Sequence, residues 1–196
     1  RPVLIIIMFT AGAAGGGLWG LLPAIFKVKY NTNETLFTLM LNYIAFDLIV
    51  FLRDGPWRDP ANPGFSKIAT FGTNAQLPTA FGVHIGWIIA VLLTIFVYVY
   101  INYTKHGYEI SVVGYSKATA NYAGMNVKKI VLRTMFLSGA ICGIAGMTQA
   151  TGSDWTLATG VAGGVGFTAI IVAWLGYLNP ISIFVISLLF AILEKG

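Results

Sequence analysis

The sequence predicts an all-α fold: a polytopic helical membrane protein with about six hydrophobic segments. Three observations carry this. Hydrophobic residues make up 57% of the chain and charged residues only 10%, where a soluble domain carries roughly a quarter charged. Apolar runs close to the ~20 residues that a bilayer-crossing helix needs recur along the chain. The charges collect between those runs. A net charge of +5 and a pI near 9.4 do not call for a nucleic-acid partner. The excess lies in loops beside apolar segments, where the enrichment of Lys and Arg on the cytoplasmic side accounts for it.

The first run, Val3–Phe26, is too long for a signal peptide and has no charged leader beyond Arg1. Gly12, Gly15, Gly16, Gly17 and Gly20 crowd it. They admit a helix broken at a substrate site or close packing of two helices through small residues; packing is the stronger reading. The second run, Leu36–Leu52, carries Asn42 at mid-span. A polar group there faces protein or water, bonding a neighbouring helix or contacting a ligand. Asp47 lies about 9 Å from Arg53 at a rise of about 1.5 Å per residue, so an outward pairing of the two is expected.

Residues 53–84 form a long loop. The third run, Ile85–Tyr103, leads into roughly thirty mostly polar residues, Thr104–Arg133, with five basic side chains against one acid, Glu109. This loop is expected on the cytoplasmic side. Alternation then puts Lys27–Thr35 on the same side, and Arg53–His84 and Gly152–Thr156 outside. Within 104–133 a short helix is predicted over Ser116–Ala123. Ser116 can accept from first-turn N–H groups, and Gly124 supplies a left-handed stop. Asn126 is the expected N-cap of the next helix, Ile130–Ala150.

That fourth run holds Ser138, Gly139, Ala140, Cys142, Gly143, Ala145 and Gly146, read as a packing face. Gln149 could line a pore mouth or sit in water. The fifth run, Leu157–Leu178, is weakened by glycines in its first half, and the sixth, Ile181–Leu193, is short. The Gly176-Tyr177-Leu178-Asn179-Pro180 turn between them allows two tilted spans or a re-entrant hairpin. Residues 1–196, starting without methionine and stopping just after an apolar run, read as one transmembrane domain from a longer chain.

Catalytic signatures are missing. His84 and His106 fall on opposite sides of the expected topology and cannot share a metal. There is no H-E-x-x-H, no G-x-S-x-G, no paired carboxylate within a span and no G-x-x-x-x-G-K-[ST]. No catalytic residue, metal or cofactor is expected. A transport role is left, with a helix displayed for docking on the cytoplasmic side.

The text of the cytoplasmic loop is recognisable. Gly107-Tyr108-Glu109-Ile110-Ser111-Val112-Val113-Gly114, followed by Ala120-Asn121-Tyr122-Ala123-Gly124-Met125-Asn126-Val127, resembles the coupling region of ABC-importer permeases. The group is the one serving simple sugars, branched-chain amino acids and nucleosides. Phe136-Leu137-Ser138-Gly139-Ala140, Gly143-Ile144-Ala145-Gly146 and the Gly176–Pro180 turn fit it too. Asn33–Ala45 and Gly55-Pro56-Trp57-Arg58-Asp59-Pro60 look like the nucleoside-uptake permeases in particular. Four positions depart from the family pattern: Ser111 and Tyr177 stand where arginine is usual, and Tyr115-Ser116 replaces Asn-Pro.

The resemblance implies a multi-pass permease of the bacterial plasma (inner) membrane, working with a separate ABC ATPase subunit, a second permease subunit (the same chain or a different one) and an external substrate-binding lipoprotein. It implies that ATPase closure moves the Ser116–Ala123 helix as a lever. The expected ATPase-coupling residues are Glu109, Gly114, Ser116, Ala120, Tyr122, Ala123 and Gly124. For a neutral substrate with stackable faces the path should carry amide and aromatic groups, for which Phe37, Asn42 and Trp174 are the candidates. The competing readings are a permease for ribose-like sugars or branched-chain amino acids, and a structural membrane subunit with no path of its own.

Overall fold

The computed structural model of the chain describes residues 2–60, 64, 66–80 and 83–195. Arg1, Gly196 and, within the 53–84 loop, residues 61–63, 65, 81 and 82 lie outside the described residues. The chain is all-α apart from two antiparallel two-residue strands, β1 (Thr79–Ala80) and β2 (Val83–His84). Four helices among the described residues are long and apolar enough to cross a membrane. They are α1 (Pro2–Tyr30), α2 (Glu34–Asp54), α3 (Gly86–Tyr103) and α6 (Val127–Gln149). Between α3 and α6 lie α4 (Lys105–Tyr115) and α5 (Lys117–Tyr122); α7 (Val165–Leu175) and α8 (Pro180–Lys195) end the chain.

The helices are apolar on their outward faces. Leu36, Met40, Tyr43 and Ile44 of α2 are all exposed, and α2 buries no residue at all. A soluble helix would turn such residues inward; apolar outward faces of this kind suit a bilayer. The chain is a multi-pass membrane protein.

The residues divide into two compact units. The first comprises Arg1–Gly86 and Val131–Val161. Its centre is a seam of glycines. A side-chain carbon added at Gly16 would lie 2.7 Å from Gly143 Cα and 2.9 Å from Gly143 N, and one at Gly20 would lie 2.9 Å from the Met135 carbonyl. Gly139 and Gly143 face the α1 backbone in the same way. In lipid there is no hydrophobic drive between helices, so contact of this kind, backbone on backbone, supplies the association. Helix α1 runs unbroken through all five of its glycines, which favours packing over a broken helix. The seam is narrower than the seven-residue face expected, since Ala145 and Gly146 are exposed and nothing stands near Gly146.

At one end of this unit, the loop after α2 is stitched to a π-helical turn, Ala150–Asp154, that finishes α6. The Phe71 N–H donates to the Trp155 carbonyl at 2.7 Å and the Leu77 N–H to the Thr151 carbonyl at 3.1 Å, while the Thr156 hydroxyl donates to the Ile68 carbonyl. The His84 ring sits against Gly86 and Gly152, both of which leave it room, and its Nδ1 accepts from the Gly86 N–H. At the α1–α2 connection, Lys27 pairs with Glu34, and Asn33 caps α2 by accepting from Thr35 and Leu36. The expected Asp47–Arg53 pair does not form: Arg53 Nε donates to Asp54 Oδ1 at 2.9 Å. Six residues apart on a helix, Asp47 and Arg53 point to different faces.

The second unit comprises Trp87–Ile130 and Ala162–Gly196. Here α4 packs on α5, and α7 on α8. The run Leu157–Leu178 is helical only from Val165, because Gly163 and Gly164 hold positive φ ahead of it. With 11 residues α7 is about 16 Å long, well short of a ~30 Å hydrocarbon core. It turns through Tyr177 and Leu178, both at positive φ, into α8. Asn179 Oδ1 accepts from the Ile181 N–H, starting α8. Gly176 lies against Ile183, so α7 and α8 pack closely where the chain turns between them.

Candidate functional site

Two places in the chain carry features that packing alone does not use. The first is a groove of about 290 Å³ in the first unit, walled by α1, α2 and α6. Helix α2 contributes Thr38, Leu41, Asn42 and Ala45, and α6 contributes Met135, Ser138, Gly139 and Cys142. Both sets step at the i, i+3, i+4, i+7 spacing of one helix face. From α1 come Trp19, Gly20 and Pro23. The groove exists because the Gly20–Gly139 contact draws α1 and α6 together at its floor, leaving α2 to form the other wall.

The lining is apolar with a few polar groups and no charged side chain. Among the described residues, no side-chain hydrogen bond engages the Asn42 amide or the Ser138 hydroxyl. The Thr38 hydroxyl donates to the Thr35 carbonyl, leaving its oxygen able to accept. Pro23 has no N–H to give the Trp19 carbonyl, which would be its i−4 partner in the helix. Of the three expected path residues, Asn42 lines this groove. Phe37 instead stacks on Phe26 of α1, ring centroids 4.8 Å apart. Trp174, in the second unit, is 74% exposed on α7. Sequence reasoning missed Trp19, Thr38, Ser138 and Cys142; the period of α2 and α6 could have grouped them, but not which faces meet.

The second place is the α4–α5 region. Thr104 caps α4 by accepting from the Gly107 N–H at 3.2 Å. Gly107 is buried and pressed on the carbonyls of Tyr100 and Ile101, so α4 turns back tightly from α3. Ser116 then caps α5, accepting from the Thr119 N–H at 3.2 Å. Gly124 follows at φ +75° and donates to the Asn121 carbonyl. Asn126 Oδ1 accepts from the Lys129 N–H, opening α6. Of the expected coupling residues, Tyr122 is 96% exposed, and Gly114, Ala123 and Gly124 are exposed as well. Ser116 and Glu109 are half-buried, Glu109 lying 3.5 Å from His106. Ala120 is fully buried within the chain. Ala120 thus lies on the inward side of α5, while Tyr122 and Ala123 are on its exposed side.

Helices with apolar outer faces, an uncharged groove between α1, α2 and α6 in the first unit and the capped helix α5 in the second are the features of an integral membrane protein of the transporter class. The chain belongs to the family of branched-chain amino acid transport system permease components, which matches residues 2–196. It is 31% identical over 202 residues to the guanosine ABC transporter permease protein NupP of Bacillus subtilis, covering 98% of this chain and 57% of that one. It is 31% identical over 206 residues to the glucose ABC transporter permease protein TsgB13 of Haloferax volcanii, covering 98% of this chain and 54% of that one. It is 28% identical over 207 residues to the nucleoside ABC transporter permease protein NupB of Lactococcus lactis, covering 100% and 57%. The chain thus spans a little over half the length of these relatives. No solved structure matches it.

Proposed function

We propose that this chain is the membrane-spanning part of an ATP-driven importer for nucleosides. The observation that carries the reading is the pair of relatives named for guanosine and for nucleosides, each aligned over essentially the whole chain. The uncharged groove with its tryptophan and amide supports it, because a nucleoside is neutral and has a flat face to stack. In this reading a separate ABC ATPase supplies the hydrolysis, a second permease subunit completes the path, and an external lipoprotein delivers substrate. The ATPase docks on α5 and the adjoining end of α4. Its closed and open states make different contacts there, and that difference biases the permease between inward and outward opening.

The residues 104–133 face the cytoplasm, and the 53–84 loop faces outward. Supporting this, the 53–84 loop bonds to the turn after α6, a segment assigned to the same side. A second reading is specifically favoured by the glucose permease relative, whose identity to this chain equals that of the guanosine one: a permease for simple sugars.

Uptake of labelled guanosine by cells expressing the intact importer, with unlabelled guanosine, glucose and leucine as competitors, tests the substrate. Competition by guanosine alone is expected. Absence of guanosine uptake by the same cells, with saturable uptake of labelled glucose in its place, would overturn the nucleoside reading in favour of the sugar one.

A further inference from the structure

We infer that the groove between α1, α2 and α6 is a binding station for a neutral nucleoside, with Ser138 and Trp19 as specificity-determining residues beside Asn42. The inference rests on the transport reading and names the site and its chemistry. The volume of about 290 Å³ lies just below the ~300–1,000 Å³ range of small-molecule sites, which suits a nucleoside better than a larger solute.

The wall chemistry selects further. The Asn42 amide and the Ser138 hydroxyl lie within membrane-spanning helices, line the groove, and have no side-chain partner among the described residues. Polar groups held in a membrane without a partner are costly, so the groove has polar capacity that the fold itself does not consume. An amide can both donate to and accept from the edge of a base. Hydroxyls at Ser138 and Thr38 suit a ribose. The Trp19 carbonyl, deprived of its i+4 donor by Pro23, adds an acceptor on the α1 wall. Trp19 also brings an indole face, 38% exposed, on which a base can stack. No charged side chain is present to meet the ammonium and carboxylate of an amino acid, so this groove disfavours the branched-chain substrates after which the family is described.

Cys142, the only cysteine in the sequence, lines the same groove and is exposed. It is a built-in reporter of what occupies the space. In membranes carrying the assembled importer, the rate of Cys142 alkylation by a small neutral maleimide is measured by mass spectrometry of its peptide, with and without guanosine or leucine. Guanosine is expected to slow alkylation and leucine to leave it unchanged. Asn42→Ala and Ser138→Ala should each raise the KM for guanosine uptake by about three- to tenfold, the effect of one lost hydrogen bond, at normal membrane abundance. Trp19→Ala should raise it further, and Trp19→Phe should restore most of the loss.

Failure of the transport reading is separately visible, as an intact importer that takes up no guanosine. If guanosine is taken up but Cys142 alkylation ignores it and the two alanine variants keep wild-type KM, the groove is not the station. A thiol that does not react at all in the assembled importer means that protein or lipid fills the groove, which also overturns the inference.

Discussion

At the residue scale, Ala120 and Ala123 lie three positions apart and do opposite work. Ala120 has no exposed surface, while Ala123 is exposed beside Tyr122. Replacing Ala120 with arginine forces a long charged side chain into packed space inside the chain, so α5 itself should come loose and membrane abundance should fall. The same change at Ala123 leaves α5 in place and adds bulk only where a partner would seat. Ala123→Arg is therefore expected to keep abundance near wild type while weakening ATPase co-purification by roughly tenfold or more. Gly124 offers a third case, because open space surrounds it and only its φ of +75° restricts the residue. Valine there should cost about 1–2 kcal/mol or somewhat more through backbone strain alone. Coupled uptake should drop while the protein stays in the membrane. Quantitative blotting of membranes and ATPase pull-down on the same three variants separate these outcomes. An Ala123→Arg protein that binds ATPase and transports normally would sink the docking surface.

At the element scale, the helices were legible where period and caps agree, and obscure where tertiary contact decides. The caps at Ser116, Gly124 and Asn126 are local, and the chain uses all three as the sequence implies. Helix α4 was not legible: Thr104–Arg133 reads as a mostly polar loop, and two glycines at 107 and 114 lower its helix propensity. Yet Tyr108, Val112 and Tyr115 recur at helical spacing, and the Thr104 cap plus the close approach of Gly107 to α3 outweigh the glycine cost. The glycines of α1 announced packing without naming a partner, since nothing in a single helix says which neighbour it meets. The seam with α6 makes a graded prediction. Gly16→Val places carbon against the Gly143 backbone, which cannot rotate away, and should destabilise by about 1–3 kcal/mol. At Gly15 the first added carbon meets nothing within 4 Å, so Gly15→Val should be far milder. Thermal unfolding of the detergent-solubilised protein, compared for the two, checks this; equal losses would mean that helix propensity and not the seam dominates.

At the scale of the whole molecule, composition and run length gave the class, and the charge distribution gave an orientation that can be tested directly. With Cys142 replaced, single cysteines at Lys67 and Lys117, both exposed, should react with a membrane-impermeant maleimide from opposite faces of intact cells and inverted vesicles. Labelling of both from outside would reverse the orientation and remove the docking role of α5. The three-walled groove was the least legible feature, because each wall is ordinary alone. Only Asn42 stood out, through the cost of a mid-span amide; Ser138 and Thr38 are hydroxyls of the sort that helices hide by bonding their own carbonyls.

The seam also bears on how such a chain can change over generations. Every amino-acid replacement reachable from a glycine codon by one base change adds a side chain, from the methyl of alanine to the indole of tryptophan. At Gly16, Gly139 and Gly143 the first added carbon already lies within van der Waals contact of backbone atoms across the seam. None of these positions can drift by small steps, and no single compensating replacement on the facing helix can make room, since that helix presents glycine there too. The α2 wall of the groove has no such restriction: Leu41 and Ala45 can be exchanged for residues of other sizes outside the α1–α6 contact. On the proposed reading of the groove as the binding station, substrate preference is set by walls that the α1–α6 seam does not constrain.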